Sequence, residues 1–110
     1  MGLYMYQLAY TPESLKALVA NPQDRMETAA KPLIEGAGGK ILAAGYSFGD
    51  YDIVVIYEAP DDATAAGVAI AVGAGGGIRA GHTTKLLTGA EWIDALRKAG
   101  GAAGRYQPPR

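Results

Sequence analysis

Apolar and polar positions fall in blocks along this chain, and the blocks change period at proline and glycine. From Leu3 to Tyr10 the run LYMYQLAY is rich in Tyr, Leu and Met without a breaker, which predicts a first strand. Thr11-Pro12-Glu13 then reads as a helix start. Thr can cap, Pro has its φ pre-set for the first helical position, and an early Glu suits the positive dipole end. Leu15, Leu18 and Val19 share one helical stripe. Asn21-Pro22-Gln23-Asp24 repeats the cap-and-proline signal and predicts a break before Met26, Ala30, Leu33 and Ile34 continue an apolar face, with a kink at Pro32. The glycines of EGAGGK close that helix.

The second half is patterned as strand, strand, helix, strand, helix. Lys40 to Phe48 and Tyr51 to Glu58 read as two strands joined at Gly49-Asp50, where a leading glycine would supply the positive φ of a primed two-residue turn. Pro60 ends the third strand, and Asp61 or Asp62 can cap a helix of small residues. GAGGG breaks that helix before a fourth strand over Ile78 to Leu87, and Thr88-Gly-Ala-Glu91 opens a last helix through Lys98 with a capping-box pattern. The order is β-α-β-β-α-β plus a helix, an α+β ferredoxin-like arrangement with a four-stranded antiparallel sheet over residues 1–99. Residues 100–110 lack periodicity and are expected to form a flexible tail.

A turn at Gly49-Asp50 sets Phe48 opposite Tyr51 and Tyr46 opposite Ile53. The period of two then divides the hairpin into an aromatic face, with Tyr46, Phe48, Tyr51, Ile53, Val55 and Tyr57, and a smaller face, with Ala43, Gly45, Ser47, Asp52, Val54 and Ile56. Gly45 and Ala43 leave room for a helix, so the smaller face is expected beneath the helices and the aromatic face away from them. Both faces of the third strand are apolar in the middle and need cover. In a chain this short, a second copy is the simplest cover, which predicts a homo-oligomer, at least a dimer, through the aromatic face.

Composition narrows the classes of function. The 110 residues suffice for one domain, and 49% hydrophobic against 19% charged residues with a net charge of -1 describe a globular chain without a basic footprint for nucleic acid. The absence of cysteine excludes disulfides, thiolate metal sites and a cysteine nucleophile. The N-terminus has no basic stretch ahead of an apolar core, and the uncharged run from Ala63 to Ile78 falls short of a membrane span. A cytoplasmic protein without membrane contact is the default expectation.

The blocks LIEGAGGK, GYSFGDYDIVVIYEAPDD and GGGIRAGHTTKLLT resemble those of the GYD-domain family, small bacterial proteins with a Gly-Tyr-Asp signature, here Gly49, Tyr51 and Asp52. Gly38-Gly39-Lys40 stands where the family's pre-strand glycines do, and Arg79 and Thr83 lie in the family-like last strand. The family is similar to the dimeric α/β-barrel superfamily, so the resemblance implies a ferredoxin-like dimer without assigning an activity.

Two residues carry the conspicuous catalytic chemistry. Asp52 begins an apolar strand opposite Ser47 and either serves as a general base or accepts backbone N–H bonds at the hairpin end. His82, the sole histidine, either acts as a base near neutral pH or is solvated in the fourth strand; without cysteine or a carboxylate at ligand spacing it makes no usual zinc site. Tyr46, Tyr51 and Tyr57 either line a cleft for a small planar ligand or fill a subunit interface. GAGGGIR follows a helix and precedes a strand, the reverse of a phosphate loop. No cofactor is expected. The leading reading is an oligomeric small-molecule-binding protein with a tyrosine-lined cleft. Its rivals are a cofactor-independent monooxygenase or isomerase of the dimeric α/β-barrel type, using Asp52 or His82, and a purely structural or regulatory oligomer.

Overall fold

The computed structural model describes residues 1–110. Its elements are β1 (Gly2–Tyr10), α1 (Pro12–Ala20), a π-helical turn (Met26–Ala30) running into α2 (Lys31–Gly36), β2 (Lys40–Tyr46), β3 (Ile53–Ala59), α3 (Asp62–Ala74), β4 (Ile78–Leu86) and α4 (Gly89–Ala103). The strands form one antiparallel sheet in the order β2-β3-β1-β4, which is the ferredoxin-like α+β arrangement with an added C-terminal helix.

The caps are those the sequence supplies. Thr11, Asp61 and Thr88 accept from the backbone N–H of Ser14, Thr64 and Glu91, and Glu91 returns a bond to the Thr88 N–H to complete the capping box. The break at Asn21-Pro22 is present, and the kink at Pro32 takes the form of the π turn. Proline has no N–H for the carbonyl four residues back and its ring crowds that carbonyl. The wider turn, in which Lys31 N–H reaches the Met26 carbonyl, accommodates it. The last helix runs past Lys98 to Ala103.

Two expectations about the hairpin are corrected. The register holds at its centre, with Tyr46 opposite Ile53, but the strands stop there, and residues 47–52 make a longer connection. Gly49 supplies no primed turn, because the positive-φ residues are Gly38 and Gly76. Ser47 instead closes the loop, donating its N–H to the Asp52 carbonyl at 2.9 Å and its hydroxyl to the Tyr51 carbonyl at 2.6 Å. Phe48 stands fully in solvent.

The faces are also reversed. Ile53, Val55 and Tyr57 are buried with Tyr4, Tyr6 and Leu8 of β1 against Ile34 of α2 and Ala65 and Val68 of α3. The aromatic face is therefore the helix-covered one. Tyr4 of β1 packs beside Tyr57, the one tyrosine of β3, with ring centroids 5.6 Å apart. A register shift between Ile41 and Ala43 leaves Ile41 opposite Tyr57.

The opposite face presents Leu3, Met5, Val54, Ile56 and Leu86, all partly exposed, with Gln7, His82 and Thr84 among them. No helix of the chain packs there. α4 likewise makes no more than marginal contact with any other element and leaves Trp92, Ile93 and Leu96 about half exposed. The radius of gyration of 17.5 Å, against roughly 13 Å for a compact chain of this length, reflects that projecting helix.

Candidate ligand-binding site

The helices do not close fully on the sheet. Between the helix-side face of β1 and β3 and the inner sides of α1, α2 and α3 lies a cavity of about 600 Å³. Alternation along the strands puts Tyr6, Leu8, Ile53 and Val55 on its floor, and Leu18, Leu33 and Val72 wall it from the helices. α3 is built largely of small residues, Ala71 among those that face the cavity, so it lacks the bulk to fill the space. Polar groups sit toward the edge: Ser14, Asn21, Gln23, Arg25 and Tyr10. Burial pushes the Tyr6 hydroxyl above its usual pKa, which keeps it a neutral hydrogen-bonding group.

The rim is held by Tyr46. Its hydroxyl donates to Asp24 Oδ1 at 2.5 Å and accepts from the Met26 N–H at 3.1 Å, while Asp24 Oδ1 also accepts from that N–H at 3.0 Å. Edge strand β2 is thereby tied to the segment carrying Gln23 and Arg25 and to the first turn of the π-helix. The Tyr46 hydroxyl bond holds the Asp24 carboxyl below the usual carboxylate range. Burial and Asp24 together push the tyrosine up.

The residues singled out from sequence are dispersed. Tyr46 latches the rim but does not line the cavity, Tyr51 sits in the hairpin loop, and Tyr57 is buried in the core with a hydroxyl that has no partner. Asp52 spans the hairpin end: its N–H donates to the Leu8 carbonyl at 2.8 Å, and Oδ2 accepts the Tyr10 N–H at 2.8 Å where the β1–β4 register shifts. The Arg79 guanidinium donates to the Asp50 carbonyl at 3.2 Å and ties the same loop to β4. His82 is exposed opposite Gln7, on the sheet face away from the cavity.

Sequence reasoning missed a second polar cluster. Asp62 accepts from the Tyr4 hydroxyl and pairs with Lys85 Nζ at 2.5 Å, and the ammonium lies 4.9 Å from the centre of the Tyr4 ring. Lys85 and Tyr4 hold the Asp62 carboxyl below its ordinary range, and Asp62 holds both Lys85 and the Tyr4 hydroxyl above theirs. The signal available was the alternation Tyr4, Tyr6, Leu8, Tyr10, which marks one tyrosine-rich face of the first strand. That same signal would have found the cavity tyrosines.

No helix is long and apolar enough to cross a membrane. Among curated proteins none matches the chain. The family model described as GYD domain matches residues 4–96, from within β1 into α4, and the chain belongs to the GYD domain family.

Proposed function

We propose that this protein is a small-molecule-binding oligomer whose site is the cavity between the sheet and its helices. The observation that carries the reading is the cavity itself: a chamber of about 600 Å³ with an apolar floor and a few polar groups at one edge. Ligand sites commonly have roughly 300–1,000 Å³ and this division of lining. Tyr6 and Tyr10 serve as the cleft tyrosines, and Tyr46 acts from outside as the residue that positions the rim. The oligomer forms through the uncovered sheet face, with Met5, Val54, Ile56 and Leu86 at its centre. A partly exposed apolar sheet face and a projecting helix with Trp92, Ile93 and Leu96 about half exposed are both satisfied by a second copy.

Binding is favoured over turnover because the Asp52 carboxylate already holds the Tyr10 N–H, and His82 lies across the sheet from the cavity. The test uses Nile red, a neutral solvatochromic dye, with the wild-type chain, Ala30→Phe, which fills the cavity from the π turn, and Ile56→Glu, which charges the opposite face. Saturable blue-shifted emission from wild type and Ile56→Glu, but not from Ala30→Phe, is expected. Emission lost in Ile56→Glu and retained in Ala30→Phe would move the site to the open face.

A further inference from the structure

The cavity wall contains one fixed charge. No carboxylate lines it, and Arg25 is its one lysine or arginine. Arg25, like Lys16, Lys40 and the other arginines, makes no ion pair; what sets it apart is that it lines the cavity. Its sequence neighbour Asp24 is engaged elsewhere, by the Tyr46 hydroxyl and the Met26 N–H. Beside Arg25 the rim offers Asn21 and Gln23, the latter with its amide oxygen occupied by the Thr28 hydroxyl, which leaves the amide N–H groups to donate. Among the lining residues the edge therefore offers donors and one cation, with the Asp24 carboxylate engaged by Tyr46 just outside the lining, while the floor behind it is apolar.

A guanidinium presents a planar fork of N–H donors that matches a carboxylate or similar oxyanion, and such charge-assisted bonds are the strong ones. We propose that the cavity takes an amphiphilic monoanion, an apolar body ending in one carboxylate or comparable oxyanion, with Arg25 binding the head and Leu8, Ile53 and Val55 packing the body. The inference rests on the cavity being the ligand site, as proposed above. A cationic head is repelled by Arg25, and a neutral head leaves its fork without a counter-charge. A dianion finds no second cation in the wall.

Calorimetric titration of the full chain with decanoate, decanol and decylamine, each below its micelle threshold, tests the assignment, because the three share a body and differ in head charge. Wild type is expected to bind decanoate about tenfold or more tighter than decanol, and decylamine more weakly still. Arg25→Met, which keeps an apolar stem of similar reach, is expected to bring decanoate to the affinity of decanol and leave decanol unchanged. Equal binding of decanoate and decanol to wild type overturns the proposal without any variant, and so does a preference that survives Arg25→Met. Nile red bound with none of the three amphiphiles bound overturns the anionic ligand class alone. If Nile red also fails to bind, the cavity is lost as a site and the ligand class with it.

Discussion

The two faces of this sheet are apolar in similar measure, yet they lead to different ends. On one face Ile53, Val55 and Tyr57 meet Tyr4, Tyr6 and Leu8 beneath the helices and are almost wholly buried. On the other, Val54 and Ile56 face Gln7 and Met5 with no helix of this chain above them. Neighbouring residues of one strand thus end differently: the odd-numbered set makes the core and the cavity floor, and the even-numbered set stays partly exposed. Apolar content alone does not say which face a protein keeps for itself. What decides here is size matching, since the small residues of α3 leave depth that large side chains on the sheet occupy.

Substitutions on adjacent positions of β3 and around it can break that division. The largest effect is expected from Tyr57→Ala, which removes a side chain only 1% exposed and should cost about 3–5 kcal/mol in denaturant unfolding. Ile56→Ala beside it should cost far less in the isolated chain while weakening self-association in sedimentation equilibrium. Equal unfolding costs at the two positions would erase the distinction between the faces.

Gly39→Ala comes next. A Cβ there would lie 2.5 Å from the Glu58 carbonyl oxygen and 3.0 Å from the Ile34 side chain, where α2 hands over to β2 against the end of β3. The backbone must move, at roughly 1–3 kcal/mol. An unchanged denaturation midpoint would show that the helix-side packing is looser than described.

A smaller effect of opposite sign is expected from Tyr57→Phe. The Tyr57 hydroxyl is buried without a partner, so its removal should leave stability unchanged or raise it by up to about 1 kcal/mol. A loss of comparable size would reveal a hydrogen bond on the helix side.

The smallest effect belongs to the Tyr4–Asp62–Lys85 cluster at the surface. The Asp62 carboxyl is held low, so its stabilisation is present above the unfolded pKa of about 4 and is lost as pH falls through the folded value. The Lys85 ammonium is held high, so its share is present below about 10.4 and is lost as pH rises through the folded value. Wild type should therefore melt slightly above Asp62→Asn between these limits, with the gap closing toward both. A gap that persists in strong acid would assign the effect to α3 capping rather than to the ion pair.

Much of this was legible in the residues. Thr11-Pro12, Asp61 and Thr88 with Glu91 fixed the helix starts, and the apolar runs fixed strand number and order, because caps and period are local properties. The Gly49-Asp50 dipeptide misled on turn type, since Ser47 can close the loop through its own N–H and hydroxyl without a positive φ. The choice of face misled because it depends on the helices opposite: Ala43 and Gly45 lie on edge strand β2, where no helix needs their space. Arg25 carried no local signal at all, for its place in the cavity wall depends on how the segment between α1 and the π turn packs over the sheet.

A methyl-resolved NMR titration along β3 distinguishes the faces most directly, because Ile53, Val54, Val55 and Ile56 alternate across the sheet within a single strand. Adding decanoate at fixed protein concentration should shift the Ile53 and Val55 methyls and leave Val54 and Ile56 in place, while diluting the protein without ligand should shift Val54 and Ile56 and spare Ile53 and Val55. Ligand-induced shifts at Val54 and Ile56, with Ile53 and Val55 silent, would contradict the assignment of the cavity face to binding and the open face to association.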